Sequence, residues 1–222
     1  MFLAIRELAF ARGRFSLMGV VISLIAVLMV LLSGLSSGLV NDGVSGLKAL
    51  PVSAFAFDEG TKADNAFSRS VVDEDQLAEW ENQPGVADAE LMGASMMNAV
   101  TEDGEQVDLT LFGVDPDGFL PPELSDGEQL GAPGGIVVSE TMRGDAVDIG
   151  TIITLDRINT ELEVIGFTEG QATFGHVDIA YMPLKSWQLV AAGQAPDGSA
   201  PTQAQLDDLD FTPASVVALR GT

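Results

Sequence analysis

The sequence contains no cysteine, only one histidine and only 10 basic side chains against 33 acidic ones. Without cysteine, the chain can form no disulfide, no thiolate metal site and no cysteine nucleophile. The single histidine, His176, excludes a two-histidine metal site within one chain. The net charge of −23 repels phosphate backbones, which proteins bind through clustered lysine and arginine. We therefore exclude nucleic acid as a partner.

Sequence motifs of catalysis are also missing. No G-x-S-x-G nucleophile turn, Walker A loop or dinucleotide-binding G-x-G-x-x-G follows a predicted strand. The run Asp115-Pro116-Asp117-Gly118 begins like a calcium loop, but Pro116 and the lack of a downstream glutamate ligand favour an ordinary turn. Carboxylate pairs are too frequent in so acidic a chain to indicate acid–base catalysis. The sequence predicts no intrinsic cofactor or metal.

The only long hydrophobic run lies near the N-terminus, where residues 15–40 carry no charge. About 20 apolar residues, rising about 1.5 Å each, cross a bilayer core of about 30 Å. This segment therefore predicts a transmembrane helix. A cleaved signal peptide is the alternative, because Ala54-Phe55-Ala56 fits the small-x-small cleavage pattern. That tripeptide lies well past the end of the apolar run, which favours an uncleaved anchor.

The charge is divided unevenly on the two sides of this run. Residues 1–40 have a balance of +2 and residues 41–222 a balance of −25. Arg12 and Arg14 precede the run and Asp42 follows it, so the positive-inside rule predicts a cytoplasmic N-terminus in the cell membrane. We predict three parts: a cytoplasmic amphipathic elbow helix over residues 1–14 that rests on membrane lipid, a transmembrane helix over residues 15–40, and an extracytoplasmic acidic domain over residues 41–222.

Small residues near the end of the predicted span form two parallel steps. Gly34 and Gly38 make a G-x-x-x-G pattern, and Ser33 and Ser37 repeat the spacing beside it. Small residues at this spacing let a second helix approach closely in lipid. Glycine and serine are also common in membrane helices for other reasons, but the doubled pattern favours packing against another helix.

The acidic region has the mixed pattern of an α+β domain. Alternating or fully apolar runs bounded by turn residues predict strands at residues 52–57, 107–114, 136–139, 151–155, 161–167, 179–182 and 216–219. Residues 73–83 predict a helix that starts with acidic residues and ends at Pro84-Gly85, and residues 187–192 a shorter one. The Gly- and Pro-rich residues 193–201 predict a loop.

The order of motifs along nearly the whole chain resembles the N-terminal half of a MacB/FtsX-type ABC transporter permease. The matching motifs are Ile5-Arg6-Glu7-Leu8 with Arg12-Gly13-Arg14-Phe15-Ser16-Leu17, Gly135-Ile136-Val137-Val138-Ser139-Glu140, residues 148–155, Glu163-Val164-Ile165-Gly166-Phe167 and residues 177–187. The resemblance implies an α+β extracytoplasmic domain of the MacB-like periplasmic core type on an N-terminal transmembrane helix. It also implies an export function powered by a separate cytoplasmic ABC ATPase subunit, so the chain itself would not be an enzyme.

Three further motifs look most like the heme-exporter permease branch: Phe67-Ser68-Arg69-Ser70, Phe112-Gly113-Val114, and Phe174-Gly175-His176-Val177 with Ser186-Trp187-Gln188. That branch implies a homodimer of permeases and heme as the transported substrate. Family members carry further membrane helices after the external domain, whereas nothing after residue 41 here is apolar enough to span a bilayer. The chain is therefore either a fragment of a longer permease or a protein with a single span.

Two residues are candidate heme ligands under this resemblance. Met29 lies about 21 Å into the predicted span, near the face of Ser33, and a thioether sulfur can serve as an axial heme ligand. The ordinary alternative is that Met29 is an apolar filler facing lipid. His176 is the rival ligand but falls in the aqueous domain. The favoured function is export of heme or another membrane-partitioned amphiphile. The main alternative is a membrane-anchored binding or adaptor protein. A membrane-tethered enzyme is the least favoured function.

Overall fold

A computed structural model describes residues 12–62, 65–145 and 147–222. The chain divides into two compact units, Met1–Asp42 and Gly43–Thr222. Most of the predicted elbow helix, residues 1–11, lies outside the described residues. The predicted boundaries at residues 14/15 and 40/41 stay predictions.

Within its described residues, the first unit is one helix, α1 (Arg12–Asp42), which has no proline to interrupt it. All of its large apolar side chains from Phe15 to Leu39 are between 47% and 71% exposed, so no protein surface of the described chain covers them. The stretch Arg12–Leu39 is long and apolar enough to cross a membrane. An apolar helix satisfies its backbone hydrogen bonds internally, which lets such a surface face lipid.

The second unit is built on one mixed ten-stranded sheet with the order β1-β10-β2-β3-β9-β5-β7-β4, in which β6 joins β2 to β7 and β8 pairs with β9. Most neighbours are antiparallel, but β3 pairs with β9 and β5 with β7 in parallel. The strands are β1 (Ala54–Ala56), β2 (Val86–Thr101), β3 (Gln106–Val114), β4 (Leu124–Gly127), β5 (Gly135–Val138), β6 (Ile152–Leu155), β7 (Glu161–Thr168), β8 (Thr173–Phe174), β9 (Val177–Pro183) and β10 (Val216–Gly221).

Short helices surround the sheet: α2 (Ser45–Ala49), α3 (Ala66–Arg69), α4 (Glu74–Glu81), α5 (Leu184–Ala191) and α6 (Gln203–Asp207), with a 3₁₀ helix at Glu140–Asp145. Helix α4 begins with a capping box, in which the Asp73 carboxylate accepts from the Gln76 amide and the Gln76 side chain accepts from the Asp73 amide. This pair satisfies amide donors that the first turn of a helix leaves open. Its acidic first turn also suits the helix dipole.

The central strands are buried on both faces of the sheet. In β3, Leu109 and Leu111 point into one hydrophobic core while Phe112 and Val114 point into the other. Strand β9 divides its side chains between the same two cores, because successive residues of a strand face opposite sides. A sheet sandwiched in this way needs mainly apolar middle strands, and β3, β5 and β9 are mainly apolar.

All predicted strands of the acidic region are present with ends shifted by at most two residues, and both predicted helices are present as α4 and α5 with ends shifted by at most three. Residues 193–201 form no helix or strand, as predicted. The α+β fold class is therefore confirmed. The sequence analysis missed the longest strand, β2, together with the short strands β4 and β8.

Candidate functional site

The candidate residues of the membrane helix are all on its uncovered surface. Met29 is 67% exposed, and a β-carbon added at Gly34 or Gly38 would meet no atom of the described chain within 4 Å. At 3.6 residues per turn, Ser33 lies about 40° from Met29 around the helix, whereas Gly34 and Gly38 lie about 140° and 180° away. A helix packed on the glycine step would therefore not contact Met29. The two predictions concern different faces of the same helix.

His176 lies in the tight turn that joins β8 to β9. Gly175 and His176 have φ values of +62° and +67°. A two-residue hairpin with a type I′ turn requires positive φ at both of these central positions. His176 is exposed and borders a shallow depression together with Asp108 and Asp178. The structure thus places His176 on the folded unit and Met29 on the helical unit. Within the described residues, no group of three histidine, aspartate or glutamate side chains is arranged to hold a metal ion.

The aromatic residues of the resemblance motifs form one cluster in the folded unit. The ring centroid of Phe67 lies 5.2 Å from that of Phe174, and Phe174 lies 5.8 Å from Phe112. The Phe112 ring in turn packs edge-on against Tyr181 at 5.7 Å. Rings at such distances and angles attract each other through their quadrupoles in addition to burying apolar area. These motif residues hold α3, β8 and the central sheet together.

The motif containing Trp187 also has a packing role. The indole of Trp187 is 6% exposed, and its N–H donates to the Ser95 hydroxyl over 3.0 Å. A β-carbon added at Gly93 would overlap the Trp187 ring, and one at Gly113 would overlap its β-carbon. Helix α5 therefore rests directly on the backbones of β2 and β3, at two positions where only glycine fits.

Glu90 on β2 is a partly buried carboxylate beneath the Asp115–Gly118 turn. It accepts the Phe119 amide over 2.6 Å, and Gly118 passes so close that an added β-carbon would overlap the carboxylate. Its Oε2 is buried and has no hydrogen-bond partner among the described residues. Burial is the main cause that raises the pKa of Glu90, and the charge of Asp115 adds to it. The hydrogen bond from the Phe119 amide is the main opposing effect.

This raised pKa predicts a pH-dependent stability. Above the ordinary Glu90 pKa of 4.5, the folded state holds the proton more tightly than the unfolded state, so stability falls as pH rises through the folded pKa. We expect Glu90→Gln to remove this loss and to be more stable than the unmodified chain at pH 7. Urea unfolding from pH 4.5 to 8 measures the effect. Glu102→Gln, at an exposed turn, should keep the original pH profile; equal profiles for both variants would contradict the assignment.

Arg143 holds two other acidic side chains, Asp126 and Glu140, in structural ion pairs. Its guanidinium pairs with Asp126 at 3.0 Å and with Glu140 at 2.9 Å, and it lies 3.9 Å from the centre of the Phe167 ring. The hydrogen bond from Arg143 is the main reason that the pKa of Asp126 is lowered. This exposed cluster ties β4 to the 3₁₀ helix and offers no free group for catalysis.

The folded unit also contains a groove of about 320 Å³. Three segments form its walls: residues 49–51, 119–123 and 168–172. Leu120 and Tyr181, each at most 1% exposed, lie at its floor. Glu123 and Glu169 stand at its border and are exposed. The sequence analysis missed this site because its segments are more than 40 residues apart in the chain and no short motif marks it.

The family model of the MacB-like periplasmic core domain matches residues 15–208. The chain belongs to this family. Proteins with a MacB-like periplasmic core domain are ABC transporter permease components, and the family therefore supports a non-enzymatic role for the chain itself. A domain of this type beside one apolar N-terminal helix is consistent with a membrane protein whose folded unit is extracytoplasmic.

Three solved structures align with part of this chain. The extracellular domain of the noncanonic ABC-type transporter YknZ from Gram-positive bacteria is 17% identical with a TM-score of 0.49, over 75% of this chain and 81% of that one. The periplasmic region of MacB from Actinobacillus actinomycetemcomitans is 11% identical with a TM-score of 0.45, over 68% and 65%. A permease domain from Porphyromonas gingivalis is 15% identical with a TM-score of 0.40, over 64% and 59%. No curated protein matches significantly.

Proposed function

We propose that this MacB-like chain is the permease subunit of an ABC exporter of the MacB/FtsX type. The observation that carries the proposal is the family match over residues 15–208, which runs from the apolar helix through most of the folded unit. The sequence has no Walker A loop to bind nucleotide. A cytoplasmic ATP-binding subunit would therefore supply the energy, and the permease would couple it to movement of a substrate.

The test of this proposal is the identity of the proteins bound to the chain. The full chain is purified from its native membranes in mild detergent, and its partners are identified by mass spectrometry. We expect an ABC ATPase in stoichiometric amount, with ATP hydrolysis in the purified complex. A fusion of residues 1–42 to an unrelated soluble protein is the control for non-specific association. Recovery of a different partner without any ATPase would favour the membrane-anchored binding or adaptor protein instead.

We propose heme, or another membrane-partitioned amphiphile, as the transported substrate. The support for heme is the resemblance of the Phe67, Phe112 and Phe174 motifs to the heme-exporter branch. Met29 adds a thioether on the exposed surface of α1, and His176 adds an exposed imidazole. A thioether and an imidazole are both axial ligands of heme iron in proteins.

The two ligand assignments are tested by heme titration of the full chain in lipid nanodiscs. If Met29 is a ligand, Met29→Ala should shift the Soret band and weaken heme binding about tenfold or more, as loss of one axial ligand removes a direct bond to iron. Met18→Ala is the matched control, since Met18 is a second exposed methionine on the same helix. His176→Asn tests the rival, because asparagine tolerates the left-handed backbone at that turn. Unchanged spectra in both Met29→Ala and His176→Asn would overturn both assignments.

We propose further that the glycine step holds two membrane helices together, either in a homodimer or against another span. The double change Gly34→Leu with Gly38→Leu should then weaken association strongly, since leucine keeps the partner backbone at a distance. Crosslinking or single-molecule counting in membranes measures the oligomer. Gly19→Leu, on the same helix and equally uncovered, should leave it intact. An unchanged oligomer in the double variant would exclude this face.

A further inference from the structure

The floor of the groove contains a polar group without a partner. Tyr181 is the only tyrosine of the chain, and its side chain is 1% exposed. The described residues donate no hydrogen bond to its hydroxyl and accept none from it, although the hydroxyl belongs to a residue that lines the groove. This hydroxyl is not fully enclosed, so water or a ligand in the groove can hydrogen-bond to it. The walls include the apolar Leu50 and Phe119, and Thr168 and Gln171 also line the groove.

The border of the groove is negatively charged. The amide of Glu169 donates to the carbonyl of Glu123 over 2.7 Å, so the two glutamates are held side by side where β7 and β4 meet. Neither carboxylate forms an ion pair or side-chain hydrogen bond within the described part of the chain. Among the residues that the structure describes, no lysine, arginine or histidine lines the groove. Two adjacent negative charges at the mouth of an apolar cleft favour a positively charged ligand and disfavour an anionic one.

We propose that this groove binds a cationic amphiphile, with its apolar part against Leu120 and Tyr181 and its positive group between Glu123 and Glu169. A volume of about 320 Å³ is within the range of small-molecule sites and suits a short alkyl or single-ring group. A polar atom of the ligand, or a water that it retains, completes the hydrogen bonding of the Tyr181 hydroxyl. The inference rests on the proposed export function only for the claim that such a ligand is cargo. Heme carries two carboxylates, so this groove selects the other class of amphiphile.

The single tyrosine makes a direct test feasible. The full chain is produced with 3-fluorotyrosine, which labels Tyr181 alone, and is placed in zwitterionic lipid nanodiscs. Octyltrimethylammonium is titrated and the one ¹⁹F resonance is followed, with octyl sulfate as the probe of equal chain length and opposite charge. We expect the cation to shift the resonance saturably and the anion to bind at least about tenfold more weakly. Equal binding of both probes, or a shift that never saturates, would overturn the proposal.

Two charge variants then locate the site. Glu123→Gln with Glu169→Gln should weaken octyltrimethylammonium binding about tenfold, because two exposed charge contacts are lost. Glu79→Gln with Glu81→Gln, exposed on α4, makes the same change in net charge away from the groove and should leave binding unaltered. The ligand-free ¹⁹F spectrum of each variant reports whether the fold around Tyr181 is kept. Equal loss in both pairs would reduce the effect to overall charge and overturn the site. If the chain binds octyltrimethylammonium but purifies without an ATPase, the groove assignment stands and the permease proposal fails.

Discussion

Replacing Trp187 with alanine is expected to destabilise the folded unit by about 3–5 kcal/mol, the usual cost of removing a buried tryptophan. The side chain is 6% exposed, covers the backbones of β2 and β3, and donates its N–H to Ser95. Urea unfolding of the full chain in nanodiscs, followed by circular dichroism, measures the loss. Trp80→Ala is the matched control, since Trp80 is 38% exposed on α4 and its removal should cost about 0.5 kcal/mol or less.

A double-mutant cycle identifies the contact that is responsible. Gly93→Ala should be strongly destabilising in the unmodified chain, because the new methyl group overlaps the Trp187 ring. In the Trp187→Ala background the ring is gone, and the same change should cost much less. Coupling between the two sites of about 1 kcal/mol or more would verify direct contact. Additive effects, or equal stability of Trp187→Ala and Trp80→Ala, would contradict the packing described above.

The strands that could be predicted are those whose apolar pattern reflects the burial of their faces. β3, β5 and β9 are buried on both faces over most of their length, and their mainly apolar sequences indicate this. β2 could not be predicted in the same way, because it is rich in alanine and methionine. Its strand conformation comes from pairing with β3, β6 and β10, and Gly93 is needed there for close approach of Trp187. Tertiary context overrides a weak local preference.

The site residues show a similar division. The motifs around Phe112 and Trp187 supported a family resemblance, and the structure gives these residues packing roles in the core of that family's fold. The α1 residues could be selected from sequence because a membrane helix is a continuous local pattern. The groove around Tyr181 could not, since segments distant in the chain create it only when the sheet forms. The Tyr181 hydroxyl and the adjacent Glu123 and Glu169 can be recognised as one site only in the folded structure.

The central claim is that the MacB-like folded unit lies outside the cytoplasm, anchored by α1. Arg12 and Arg14 precede the span, and the acidic excess follows it, so we expect the N-terminus inside and residues 41–222 outside. In this orientation the groove and His176 lie on the extracytoplasmic side, the side to which the proposed export would release a substrate. It also leaves the cytoplasmic end of α1 for contact with an ATPase.

Labelling of a single introduced cysteine in intact cells tests this orientation most directly. The chain has no cysteine of its own, and Ser199→Cys lies in an exposed loop whose backbone carbonyl still accepts the Glu161 amide. A membrane-impermeant maleimide should label Ser199→Cys in intact cells, whereas Ala4→Cys in the N-terminal segment should react only after lysis. In intact cells each cysteine is expected to be either labelled or unlabelled, because the bilayer excludes the charged reagent. Labelling of Ser199→Cys only after lysis would contradict the account.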